Sequence, residues 1–339
     1  MWHAALAQNA RASIRMDVLI VEPLDPEVLD WLGQRHSVGY APHLAQDPYE
    51  FRRTLFRVRS LIIPPSVALD SHTMQAAPML RAVGRLSAGA ENIDLEACAR
   101  AGIEVVRPVN ASATSEAEFV IGGLLQMLRR VPVLSAEGLL VGRELSGTRV
   151  GIVGMAAAAK PLAKLLAAFG ATVLGYDPAV HASDALWARW GVEPLGLSEL
   201  MESCDGVCVL LTYFSRYRGL LGERFLGACK PNQVLVSLAH SSLFDEYALA
   251  EALTGGRLAA AWFDSMEPGM LDPGRPLRHL DTLQVTPRVA STTLESRSRS
   301  AWAVARRIDE LLGVRAEQDD VTPTVPGDLA DLADGPAPV

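Results

Sequence analysis

Cysteine is scarce in this chain, with Cys98, Cys204, Cys208 and Cys229 the only four in 339 residues. Their spacing fits neither a zinc site nor a disulfide framework. Cys204 and Cys208 flank a strand-like run, which predicts buried thiols rather than a metal pair. No apolar run is long enough to cross a bilayer. The residues before Met16 lack the apolar core of a secretory signal and read as a mildly amphipathic extension. Basic residues are in deficit, 31 against 39 acidic ones for a net charge of −8, which argues against nucleic acid or an anionic membrane as the main partner. A cytoplasmic location is expected. Hydrophobic residues make up 49% of the chain and charged ones 21%, so there is material for two domains with proper cores.

The most telling deficit is of glycine, in the stretch Gly147 to Pro178. It reads as strand, tight turn, helix, strand and acidic residue, the opening βαβ unit of a dinucleotide-binding fold. In such a unit a Gly-x-Gly-x-x-Gly turn brings a pyrophosphate to the N–H groups at a helix N-terminus. An acid some twenty residues on holds the ribose. Here the turn reads Gly154-Met155-Ala156-Ala157-Ala158-Ala159. Gly154 keeps the tight turn and Ala159 is a tolerated packing residue. Ala156, however, puts a methyl group where backbone should approach the phosphates. If that position needs positive φ, its Cβ costs about 1–2 kcal/mol, or about tenfold in affinity. The competing outcome is that the alanines, strong helix formers, extend the helix and close the pocket. Asp177 stands at the ribose position and favours NAD over NADP, because a carboxylate repels a 2′-phosphate. As an Asp-Pro pair it also suits a turn.

Strand-like runs at 16–21, 60–63, 80–85 and 103–106, with helical segments between, predict a small parallel α/β domain. Pro26 to Arg35 reads as a helix with proline in its first turn. Ser115 to Arg130 has an acidic start, an apolar stripe and a basic end, and is expected to run between domains. Further strands are expected at 171–176, 206–211, 233–238, 259–263 and 282–285, then a helix from Glu295 to Leu312. The expected fold is α/β: a doubly wound, Rossmann-type parallel sheet with a smaller flavodoxin-like α/β domain. The boundaries are 17–109 with 295–316 for the substrate domain and 110–294 for the dinucleotide domain. An acidic, disordered tail is expected over 317–339.

Several blocks in order carry a family resemblance: 84–106, 115–119, the βαβ unit, 230–253, 260–268 and 285–293. Together they make the chain similar to the D-isomer-specific 2-hydroxyacid dehydrogenases over roughly residues 17 to 315. The resemblance implies NAD-dependent hydride transfer at the CH–OH group of a small 2-hydroxy or 2-oxo acid, and a homodimer with an arm near 130–144. It also implies an Arg that grips the substrate, and a Glu that orients a His acid/base. This chain has His240 where the family has Arg, keeps Glu267, and has Arg288 where the family has His.

Three readings of that inversion stay open. His240 supplies the proton while Arg288, held by Glu267, binds the carboxylate. Alternatively the chain is a catalytically silent relative that uses the fold for ligand or partner binding, with Glu267–Arg288 a structural ion pair. In the third, the cleft serves another reaction. Further departures cluster at function. The substrate loop reads Ser87 to Asp94, with Ala88 and Gly89 expected to offer N–H groups to a carboxylate. Pro64-Pro65-Ser66 replaces a polar stretch, Phe119 stands where relatives have His, and Leu210-Leu211-Thr212 replaces a His-x-Pro on the cofactor rim. Asp264 matches a position that hydrogen-bonds the nicotinamide carboxamide, and it can equally cap a strand end. The expected cofactor set is Gly154, Ala156, Ala157, Ala158, Asp177, Thr212 and Asp264, holding NAD with weakened affinity. The catalytic set is His240, Glu267 and Arg288, and no metal is expected. His36, His43, His72, His181 and His279 are expected to be solvated or to cap helix ends, and Arg216 and Arg218 to form an exposed basic turn.

Overall fold

The structure, a computed structural model, describes residues 16–87, 89–108, 110–130 and 133–319. The chain divides into two compact units. One takes the residues up to Arg107 and those from Ala301; the other is Pro108–Ser300.

The first unit carries a parallel five-stranded sheet in the order β2-β1-β3-β4-β5. Its strands are β1 (Met16–Ile20), β2 (Val38–Tyr40), β3 (Val58–Ile62), β4 (Ala82–Gly84) and β5 (Glu104–Val106). Helix α1 (Pro26–Gly33) starts on its proline, and α2 (Pro48–Thr54), α3 (Ser71–Gln75) and α4 (Leu95–Arg100) are capped by the carboxylates of Asp47, Asp70 and Asp94. A cap accepts from N–H groups that have no helical partner. Alternation along β1 feeds a core on each face: Leu19 joins one cluster, Val18 and Ile20 the other. Gly84 is obligatory, since a Cβ there would lie 2.4 Å from a Val304 side-chain carbon. Strand β2 escaped the sequence reading because it is three residues long and half exposed.

The second unit opens with α5 (Ala113–Arg130) and the hairpin β6 (Val133–Leu134) and β7 (Leu140–Val141). A parallel seven-stranded sheet follows in the order β10-β9-β8-β11-β12-β13-β14. These strands are β8 (Arg149–Val153), β9 (Thr172–Tyr176), β10 (Glu193–Pro194), β11 (Gly206–Val209), β12 (Gln233–Ser237), β13 (Leu258–Phe263) and β14 (Leu283–Val285). With α5, helices α6 (Ala159–Ala168) and α7 (Ala185–Trp190) cover one face. Helices α8 (Leu197–Ser203), α9 (Glu223–Leu226) and α10 (Glu246–Thr254) cover the other. The doubly wound Rossmann-type fold is therefore present. Chain order reverses around β8, which lies between β9 and β11, and that is where such sheets bind ligands.

Helix α11 (Leu294–Asp319) runs past the expected stop at Leu312. Of the expected tail, 320–339 lies outside the described residues, as does the stretch before Met16. The four cysteines are free and buried. Burial pushes the thiols of Cys204 up to about 11 and Cys229 up to about 12, and also raises Cys98 and Cys208. Beside Cys204, Asp205 accepts from Arg149 N–H at 2.9 Å and from Lys230 Nζ at 2.6 Å. Burial alone would raise that carboxyl, but these donors and Arg143 hold it below the usual range. No helix among the described residues is long and apolar enough to cross a membrane.

Candidate functional site

Strands β12, β13 and β14 run parallel in register, pairing Ser237 with Phe263 and Phe263 with Val285. Their loops therefore leave the sheet at the same end. His240 follows β12, Glu267 follows β13 and Arg288 follows β14. β8 and β11 end at the same level, pairing Val153 with Val209 and Val209 with Ser237. Residues just beyond these strand ends line a cavity of about 280 Å³: Ala156, Leu210, His240, Asp264 and Arg288, with Glu116 of α5 on its wall.

His240 Nε2 lies 2.7 Å from Glu267 Oε1, and each side chain is about one-third exposed. His240 also begins a short 3₁₀ turn, where its Nδ1 accepts from Ser242 N–H at 3.3 Å. A backbone N–H can only donate, so Nδ1 is the unprotonated nitrogen and Nε2–H points at the carboxylate. Ser241 Oγ accepts from Glu267 N–H at 2.9 Å and so ties the two loops together. The ring is stacked on Tyr213, centroids 4.5 Å apart at 17°.

Arg288 does not pair with Glu267, contrary to the sequence expectation. Its Nε donates to Ser265 Oγ at 3.0 Å, and its backbone is left-handed, φ 56°. The cause is Asp264. That buried carboxylate accepts from Thr286 Oγ1 at 2.8 Å and from Val289 and Ala290 N–H at 2.9 Å. Arg288 N–H donates to Asp264 O at 2.6 Å. The loop is thus wound around Asp264, and Arg288 takes the bend. Left-handed backbone costs a residue with Cβ about 1–2 kcal/mol and persists only where surrounding bonds over-determine it. Asp264 is first a loop fastener, although it also lines the cavity.

The glycine turn departs from the expected damage. Gly154 has φ 101°, and a Cβ there would lie 2.4 Å from Leu211 backbone atoms. Ala156 does not have positive φ, so the anticipated backbone strain is not incurred. The alanines do not extend the helix through the turn either, since α6 begins at Ala159 with no side-chain cap. Ala156 and Ala158 line the cavity, whereas Ala157 does not and Thr212 is exposed outside it. Asp177 accepts from Met155 N–H at 2.7 Å and Ala179 N–H at 2.8 Å. Each oxygen keeps a lone pair for another donor. A tight turn, an uncapped helix start and a carboxylate with spare acceptor capacity fit a dinucleotide.

Ala88 lies outside the described residues; Gly89 belongs to the first unit. That loop is held by Arg85, which donates to Ser87 Oγ at 2.8 Å and to Asn92 Oδ1. Burial lowers the pKa of Arg85, which is only 1% exposed. Phe119 packs edge-on against Trp262, centroids 5.1 Å apart. Arg216 lies over Phe214 and Tyr217 and is exposed. Among the described residues, no group of acidic, His or Cys side chains is placed to hold a metal. Tyr213, Ser241, Ser242, Ser265 and Glu116 went unnoticed in the sequence. The Ser-Ser pair after His240 is a turn signal, but nothing in sequence links Tyr213 to the imidazole.

A doubly wound sheet with a glycine turn, an acid at the end of β9 and a His–Glu pair at its strand ends fits the class of nicotinamide-dependent dehydrogenases. Residues 125–290 match the family model described as D-isomer specific 2-hydroxyacid dehydrogenase, NAD binding domain. The (S)-sulfolactate dehydrogenase of Chromohalobacter salexigens is 33% identical over 310 residues, covering 88% of this chain and 99% of that protein. The D-3-phosphoglycerate dehydrogenase of Mycobacterium bovis is 31% identical over 301 residues, 86% of this chain but 56% of that longer protein. The crystal structure of the TT0316 protein from Thermus thermophilus superposes with a TM-score of 0.71 at 27% identity, covering 88% and 97% of the two chains. The chain belongs to the D-isomer specific 2-hydroxyacid dehydrogenase family. It is an NAD-dependent enzyme of that class, and the comparisons lend no support to a catalytically silent relative.

Proposed function

We propose that this enzyme interconverts a small 2-hydroxy acid and its 2-oxo acid, with His240–Glu267 as the acid–base pair and Arg288 as the carboxylate grip. The observation that carries the reading is the 2.7 Å His240–Glu267 contact on the cavity that Arg288 also lines. Asp177 and the N–H groups of Ala156, Ala157 and Ala158 would hold NAD, which would supply the hydride acceptor for C2, since the N–H groups of Gly154 and Met155 are already donated to Tyr176 O and Asp177.

The residues supply the remaining chemistry. In the oxidising direction the substrate hydroxyl gives its proton to His240. Nε2 already carries a hydrogen, so Nδ1 is the accepting atom, and it gives up the 3.3 Å bond from Ser242 N–H as the proton arrives. Glu267 then stabilises the imidazolium through Nε2–H, and the reverse reaction returns the proton from Nδ1. Arg288 has one bond from its guanidinium among the described residues, which leaves the outer nitrogens for bidentate binding of a carboxylate.

The test is NADH oxidation against a panel of 2-oxo acids, including those of sulfolactate and 3-phosphoglycerate, with His240→Ala alongside. Turnover that vanishes in the variant while NADH fluorescence titration is unchanged supports the assignment; a variant that turns over normally overturns it. We further propose a cytoplasmic homodimer. Leu139, Leu140 and Val141 are 63, 72 and 39% exposed around the β6–β7 hairpin, an apolar strip that a second copy would cover. A monomer in sedimentation would remove that part.

A further inference from the structure

We propose that Tyr213 is a positioning residue for the His240 imidazole, holding the plane and tautomer in which the proton is exchanged; this rests on the acid–base reading of His240 above. Two edge contacts set the ring's orientation within its own plane, Glu267 at Nε2 and Ser242 N–H at Nδ1. Neither by itself fixes the ring against tilting out of that plane. His240 keeps 35% of its side-chain surface open, so burial does not hold it either.

Tyr213 supplies the missing restraint. It lies in the loop after β11, half-buried, and its ring stacks on the imidazole at 4.5 Å and 17°. The tyrosine is itself braced, because it packs on the buried cluster that contains Leu211, Leu243 and Phe244. Leu243 ends and Phe244 caps the turn that His240 opens. The core that supports Tyr213 therefore also supports the histidine's backbone, and ring and platform are referenced to one rigid body. Tilting the imidazole would lengthen both edge contacts, and hydrogen bonds weaken steeply as they bend. A π face also favours the cation that forms when Nδ1 takes the proton.

The experiment compares Tyr213→Phe, which keeps the aromatic face, with Tyr213→Leu, which keeps apolar bulk against the core but removes the ring. Folding is checked by circular dichroism. The readouts are the His240 ring nitrogens by long-range 1H–15N correlation, turnover, and NADH affinity. The Phe variant should match the parent in each. The Leu variant should show mixed Nδ1–H and Nε2–H tautomers. Its kcat should fall roughly three- to tenfold, the range an aromatic stack supports, with KM and NADH affinity within about twofold. A Leu variant that keeps the single Nε2–H tautomer overturns the proposal, as does a Phe variant that fails as badly as Leu. The ring spectra need no turnover. A parent without turnover would remove the acid–base reading, while the tautomer comparison would still decide the role of Tyr213.

Discussion

Arg288 offers a test of the site in which stability and activity should move in opposite directions. Its φ of 56° is imposed by the loop wound around Asp264. Replacing it with glycine relieves about 1–2 kcal/mol of left-handed strain. Against that, glycine adds about 0.5–1 kcal/mol of unfolded-chain entropy, and the exposed Arg288–Ser265 bond is lost at a few tenths of a kcal/mol. The net is a gain of about 0.5 kcal/mol, or roughly 1–2 °C in the melting of a unit this size. Arg288→Ala removes the same guanidinium but keeps Cβ and hence the strain, so it should show no gain. Both variants should lose on the order of a hundredfold in kcat/KM for the oxo acid, as removal of one charged donor pair does. The assay is thermal unfolding beside steady-state kinetics. An Arg288→Gly protein no more stable than Arg288→Ala would refute the account of the bend, and full activity in both would remove Arg288 from the site.

Other outcomes follow from the same geometry. Asp264→Ala frees three donors around one buried carboxylate and should cost about 2–4 kcal/mol in urea unfolding, more than an exposed cap would. Ala156→Gly should tighten NADH less than tenfold in fluorescence titration, since the about 1–2 kcal/mol of left-handed strain is not there to recover. Asp205 binds fewer protons folded than unfolded just below its ordinary value of 3.8. Its contribution is therefore present above that value and lost as pH falls through the lower folded pKa. Asp205→Asn should flatten that part of the acid limb. With the Cys204 and Cys229 thiols pushed up to about 11 and about 12, native protein at pH 8 should resist alkylation, and all four cysteines should react once unfolded.

The arrangement of strand ends explains how an inverted pair of residues can still converge. His240 and Arg288 are 48 positions apart, yet each comes three residues after its strand, Ser237 and Val285 being in register with Phe263. Sites built this way tolerate exchange of residue types, because parallel strand register fixes where each loop starts. Direction is another matter. Glu267 stands four residues past Phe263 and chooses His240 because Ser241 holds its backbone and the bend at Arg288 sends the guanidinium to Ser265.

Much was legible in the residues alone. Alternating apolar runs, a proline-led first helix and a glycine-first turn before an alanine-rich helix point to both parallel sheets, since these are local signals. Asp177 was legible because its place is counted along one βαβ unit. What only the tertiary structure decided were contacts across loops: Tyr213 against His240, Ser241 against Glu267, and Asp264 gathering residues 286–290. The sign of φ at Ala156 belongs to the same group, because the residue type does not say which backbone conformation the turn requires there. Periodicity specifies which way an element faces; loop partners depend on where two separate strands end in space, and no spacing rule encodes that.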